Sequence, residues 1–138
     1  MVVTDWWDES KTKTEVIDLK DPYFQCDLLP NYPRKVSEAV GGLVGDTPIV
    51  CGGLIMAWNM ISLDSCYMFK NKQWKLLENT LWTSGGTFGT GNIVVNNSLL
   101  ISGGRTYLKG DNKEPLRKHY WINKDTKTEA KDIPNCKC

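Results

Sequence analysis

Apolar residues along this chain come in short runs that stop at glycine, proline or asparagine, and two of the runs read alike. Ile49-Val50-Cys51 leads into Gly52-Gly53, and Leu99-Leu100-Ile101-Ser102 leads into Gly103-Gly104. The first run has no polar alternation, which predicts a strand buried on both faces. Elsewhere the pattern alternates, with Tyr67 and Phe69 on one face and Cys66 and Met68 on the other. No stretch carries the i, i+3, i+4 spacing of an amphipathic helix between caps, so the chain reads as all-β.

Each glycine pair sits inside a similar succession of elements. Val36–Val44 reads as a small-residue strand, Gly45-Asp46 as a tight turn and Thr47–Cys51 as the returning strand. A loop, Leu54–Leu63, leads to a third strand over Asp64–Lys70. Asn71-Lys72 then turns the chain into a fourth strand, Gln73–Leu77, which carries Trp74. The succession returns as Thr87–Val95, a hairpin turn at Asn96-Asn97, Ser98–Ser102, a loop from Arg105, a third strand at His119–Ile122 and a fourth over Lys127–Ile133. Gly52 recurs as Gly103 and Tyr67 as Tyr120, a period of about 50 residues. Upstream, Thr14–Leu19 and Tyr23–Leu29 predict the last two strands of a preceding sheet, and Pro30 and Pro33 break any ladder after them. The organisation expected is residues 1–33 as the end of a partial unit, 34–77 and 78–133 as two full units, and 134–138 as a tail. Four short strands per unit at this period indicate a radial repeat of small sheets.

Pro33-Arg34, Gly52-Gly53, Tyr67 and Trp74 of the first unit resemble the kelch repeat in full. The second unit resembles it in Gly103-Gly104 and Tyr120 but has no tryptophan in its fourth strand, where Thr128–Ala130 lies. The upstream unit matches only in Val16-Ile17-Asp18, with Cys26 near the tryptophan position. The resemblance spans Thr14–Ile133 and implies a partial kelch-type β-propeller of four-stranded antiparallel blades, a scaffold for protein binding. Closed propellers have about four to eight blades, and this chain supplies two and part of a third. The expectation is therefore a fragment, a truncated structural remnant, or one part of an assembly. Open blade edges would then allow homo-oligomers to form.

Composition narrows the chemistry. The chain has 138 residues, 41% of them hydrophobic and 24% charged, with a net charge of +1. That balance argues for neither a nucleic acid nor an anionic membrane as partner. No apolar run is long enough to span a bilayer, and residues 1–13 contain no signal-peptide pattern. As written the chain reads as cytoplasmic; as part of a longer exported protein it would be extracellular. Five cysteines in no zinc-ligand spacing, with His119 the single histidine, support neither a metal nor a cofactor. A propeller-type copper oxidase needs several histidine and tyrosine ligands, which one His119 does not supply. Gly85–Gly91 lacks the lysine of a phosphate loop, and no Ser-His-Asp set is arguable. The expected chain is non-catalytic.

Candidate contact residues lie in the two loops that follow the glycine pairs. Leu54–Leu63 is mostly apolar, with Trp58 and Met60 either presented to a protein partner or folded over the chain's own sheets. Arg105–His119 carries Arg105, Arg117 and Lys118, either a surface for an acidic partner segment or a solvated loop. Cys51 and Cys66 fall on neighbouring antiparallel strands, either as a disulfide or as two buried thiols. Tyr67, Trp74 and Tyr120 are expected to pack between sheets. Asn96-Asn97-Ser98 has the form of a glycosylation sequon, but it reads better as turn chemistry.

Overall fold

A computed structural model of the chain describes residues 2–3, 12–17, 20, 23, 26–55, 59–77, 86–107 and 113–130. The regular elements among the described residues are all strands. Three of these make an N-terminal sheet: β1 (Val2–Val3), β2 (Thr14–Ile17) and β3 (Cys26–Leu29), in the order β1-β2-β3. The first four-stranded sheet contains β4 (Val40–Val44) and β5 (Thr47–Cys51). The chain then makes a short ladder of β6 (Leu54–Ile55) and β7 (Ile61–Ser62), and returns to complete the sheet with β8 (Cys66–Lys70) and β9 (Gln73–Leu77). The second four-stranded sheet repeats this plan. It has β10 (Gly91–Val95) and β11 (Ser98–Ser102), a short ladder of β12 (Arg105–Tyr107) and β13 (Lys113–Pro115), then β14 (His119–Ile122) and β15 (Lys127–Glu129). Strand orders β4-β5-β8-β9 and β10-β11-β14-β15 are both antiparallel throughout.

The two registers superimpose residue on residue. Gly41↔Val50 and Val50↔Tyr67 in the first sheet correspond to Asn92↔Ile101 and Ile101↔Tyr120 in the second. Cys51↔Cys66 corresponds to Ser102↔His119, and Phe69↔Trp74 to Ile122↔Lys127. The position of Trp74 is thus taken by Lys127, one residue before the Thr128–Ala130 stretch expected from the sequence.

Several boundaries differ from the sequence expectation, for physical reasons. The small-residue strands begin at Val40 and Gly91, not at Val36 and Thr87. Glu38 and Gly89 sit at equivalent places with φ of 53° and 60°, and a left-handed residue ends a strand's pleat. The Gly89 N–H donates to the Glu38 carbonyl at 3.3 Å, so the two kinks meet. The two long loops contain ladders of their own, which two- or three-residue strands hide because they carry no period. The N-terminal sheet has a third strand where two were expected. The fourth strand of the second unit covers Lys127–Glu129; residues 131–138, including Cys136 and Cys138, lie outside the described residues.

Side chains explain the stacking. Val40, Val44, Ile49, Cys51, Cys66 and Leu77 face one way from the first sheet. They bury themselves against Leu99, Ile101, Tyr120 and Ile122 of the second. Each such aliphatic side chain contributes about 1.5–3 kcal/mol when removed from water. Gly42 sets the closeness of the fit: a Cβ there would overlap Val94 and stand 3.1 Å from Leu99 Cδ1. The other face of the first sheet, Val50, Tyr67 and Trp74, packs on Tyr32 and Val36 of the linker. Tyr32 meets Tyr67 and Trp74 edge-on at 5.4 and 5.0 Å, and Trp74 Nε1–H donates to the Pro30 carbonyl at 3.1 Å. Ile49, Val50 and Cys51 are each buried at 4% exposure or less, as the unbroken apolar run predicted.

Candidate functional site

The two glycine pairs turn the chain out of the sheets at the same end. Gly52, Gly53, Gly103 and Gly104 all have positive φ, from 63° to 102°. An L side chain rarely adopts that backbone, and glycine does so freely. A Cβ on Gly52 would also overlap the Thr87 carbonyl, so bare backbone is needed there twice over.

From these corners the two short ladders project and dock on each other. Leu63 N–H donates to Gly53 O at 2.8 Å, and Leu116 N–H to Gly104 O at 2.9 Å. Residues 86–90 fill the space between the ladders. Thr87 accepts from Gly53 and donates to Leu63, while Phe88 exchanges both backbone hydrogen bonds with Arg105 at 3.0 Å. The Phe88 ring stacks on Tyr107 at 5.3 Å with 13° between planes. Tyr107 N–H donates to Ser62 Oγ at 2.7 Å, joining the second ladder to the first. The result is one continuous end surface.

The candidate contact residues distribute over this surface. Ile61 is 49% exposed on the first ladder, and Met60 beside it is half-buried. Trp58 lies outside the described residues. Arg105 is exposed on β12, opposite Pro115. Arg117 and Lys118 are exposed where the second ladder rejoins β14, and Lys118 Nζ stands 3.6 Å from Glu129 Oε2. The surface therefore combines an exposed isoleucine with exposed cations. Among the described residues no group of three or more His, Cys, Asp or Glu could hold a metal ion.

Cys51 and Cys66 are bonded as a disulfide, with Cα atoms 4.0 Å apart and both residues at 0% exposure. The Gly52 N–H donates to Ser65 O at 3.0 Å, so the adjacent Cys51↔Cys66 pair occupies a non-hydrogen-bonded position, where cross-strand side chains come closest. At the equivalent place Ser102 Oγ and His119 Nδ1 are hydrogen-bonded at 2.7 Å. Aligning the two units on their glycines would have revealed this pair from the sequence. Tyr120 packs between the two four-stranded sheets, Tyr67 packs on Tyr32 and Val36 of the linker, and Trp74 meets Phe69 edge-on at 5.2 Å with 61° between planes. Lys127, in Trp74's place, lies 4.5 Å over the Tyr120 ring. Burial lowers the pKa of Lys127 and raises that of Tyr120.

Opposite this end lie the tight turns. Lys124 Nζ donates to Asp46 Oδ1 at 2.9 Å, tying the first sheet to the second. That hydrogen bond is the leading cause of the lowered Asp46 pKa. No feature of the sequence pattern pointed to this pair.

No family model matches the chain, and no curated protein matches it. Solved structures do match in fold, 51 chains in all. One of these, YjhT, is similar over 87% of this chain with a TM-score of 0.66 and 16% sequence identity. The chain spans 38% of that protein's length. At this identity the likeness concerns the fold.

Proposed function

We propose that the chain is a non-catalytic protein-binding module built from blades of a kelch-type β-propeller, and that the partner binds at the end formed by the two docked ladders. The observation that carries this reading is the hydrogen bond from Tyr107 N–H to Ser62 Oγ, which fixes the two ladders as one surface. Rigid framing lowers the ordering cost of association. Ile61 offers an apolar contact, and Arg105 and Arg117 add exposed positive charge at the same end. This pairing suits an extended acidic segment with an apolar anchor.

The test is titration of a labelled peptide of alternating glutamate and leucine. Arg105→Glu with Arg117→Glu is expected to weaken binding about tenfold or more, and raised salt to weaken it in the unmodified protein. Lys124→Glu, at the opposite end, is expected to leave binding unchanged. Equal binding by the double variant would remove the basic end surface from the proposal.

A further inference from the structure

The internal repeat shows which faces of a sheet are meant to be covered. In the first four-stranded sheet one face carries Val40, Gly42 and Val44 on β4, Ile49 and Cys51 on β5, and Cys66 and Met68 on β8. The second sheet covers that face completely enough to leave Ile49, Cys51 and Cys66 at 0% exposure. In the second sheet the register-equivalent positions are Gly91, Ile93 and Val95 on β10, Leu100 and Ser102 on β11, and His119 and Trp121 on β14. Ile93, Leu100 and Trp121 stand side by side across three strands of that face. Nothing in the chain's described residues covers it: Ile93 is 56% and Val95 39% exposed. An apolar row of this kind marks a packing face.

The stack is directional. The second sheet presents its Leu99–Ile101 side to the first and keeps its Ile93 side open. At the other end, Tyr32 of the linker packs on the face of the first sheet that points away from the second, and its N–H donates to the carbonyl of Thr12, two residues before β2, at 2.6 Å. That N-terminal sheet has a buried side, with Thr14 at 0% exposure, and an open side, where Leu28 is 71% exposed opposite Glu15. The two ends of the stack are therefore unlike faces, one an apolar row and the other carrying Leu28 beside Glu15.

We propose that the Ile93–Trp121 face binds a second copy of this chain head to tail, through the open Leu28 side of that copy's N-terminal sheet. Each new contact continues the interface already present between the two four-stranded sheets. Unlike faces give a heterologous association, which closes into a ring or extends as an open series. The Ser102–His119 hydrogen bond satisfies two of the polar atoms this contact would cover. The inference uses sheet faces and not the ladder end, so it stands apart from the partner-binding reading.

Solution mass by light scattering across a concentration series tests it, with Ile93→Glu and Leu28→Glu as variants. Both residues are exposed, and circular dichroism and the thermal midpoint confirm that each variant folds. The unmodified chain is expected to appear as whole multiples of 15.6 kDa, a single mass for a ring or a ladder of masses for an open series. Each variant alone is expected to shift half-association to at least about tenfold higher concentration. An equimolar mixture restores one complementary pair of faces and is expected to give a two-chain species and nothing larger. A monomer at every concentration overturns the proposal. Association abolished by Ile93→Glu but untouched by Leu28→Glu also overturns it, because that pattern belongs to a symmetric face-to-face dimer. Association that survives Ile93→Glu overturns it as well.

Discussion

The first four-stranded sheet closes the seat between its second and third strands with a disulfide, and the second closes the same seat with a serine and a histidine. The difference follows from what lies above each seat. Cys51 and Cys66 lie under the second sheet, where an unmet hydrogen-bonding group would cost about 1–3 kcal/mol. A disulfide has no such group. Ser102 and His119 lie on the uncovered side and are half-buried, where water serves whatever their mutual bond leaves open. The same contrast separates Gly42, which lets the sheets touch, from Ile93, which stands 56% exposed on the uncovered face. A third substitution, independent of that contrast, puts Lys127 over Tyr120 where Trp74 is clasped by Phe69 and Tyr32. One backbone plan thus carries two kinds of side chain, chosen by burial.

Exchanging the seats gives the largest expected effects. Replacing both Cys51 and Cys66 with serine is expected to lower unfolding free energy by at least about 3 kcal/mol, the chain-entropy value for a 15-residue closure, with unmet serine hydroxyls adding to it, measured by urea denaturation. The reciprocal change, Ser102→Cys with His119→Cys, is expected to raise it by up to about 3 kcal/mol once oxidised, since the pair already faces at the same register. Trp74→Lys, which copies the second sheet into the first, is expected to cost about 3 kcal/mol by the same measurement, whereas Lys127→Ala costs about 0.5 kcal/mol. Gly42→Val forces the sheets apart and is expected to cost about 1–3 kcal/mol, while Ile93→Val at the equivalent place changes stability little.

A further small effect concerns the linker. Tyr32 is 1% exposed and its hydroxyl has no hydrogen-bond partner among the described residues. Tyr32→Phe is expected to stabilise the chain by about 1 kcal/mol. Burial, helped by the nearby Tyr67, raises the Tyr32 phenol above its ordinary pKa of 10.0, so the folded state favours the neutral form. The unfolded chain ionises first as pH rises. Stability from this group is therefore whole below about pH 10 and lost above it. Thermal midpoints across that range are expected to fall less steeply in Tyr32→Phe.

Much of this architecture was legible because it repeats. Thr47–Cys51, Gln73–Leu77, Ser98–Ser102 and His119–Ile122 have the bounds the alternation and turn residues gave them. The glycine corners were legible too, since paired glycine after an apolar run has few other uses. The ladders after them were not, because Leu54–Ile55 and Ile61–Ser62 are too short to show a period and are held by backbone hydrogen bonds of Leu54 with Ser37 and of the flanking Gly53 and Leu63 with Thr87. Arg105 and Arg117 were named from charge alone; Ile61, exposed on the first ladder, was read only as part of an apolar loop. The stacked pair Phe88 and Tyr107 left no trace in spacing, since its partners lie on different elements and meet only through the fold.

The projecting ladders are hung from the sheets by main-chain groups: Leu63 to Gly53, Leu116 to Gly104, Thr87 between them. Attachments made of amide and carbonyl care little about which side chains they carry. Insertions, deletions and changes of residue can therefore accumulate at the outer bends without disturbing the stack below. A molecule so constructed can acquire new recognition by drift at its rim while its scaffold stays still.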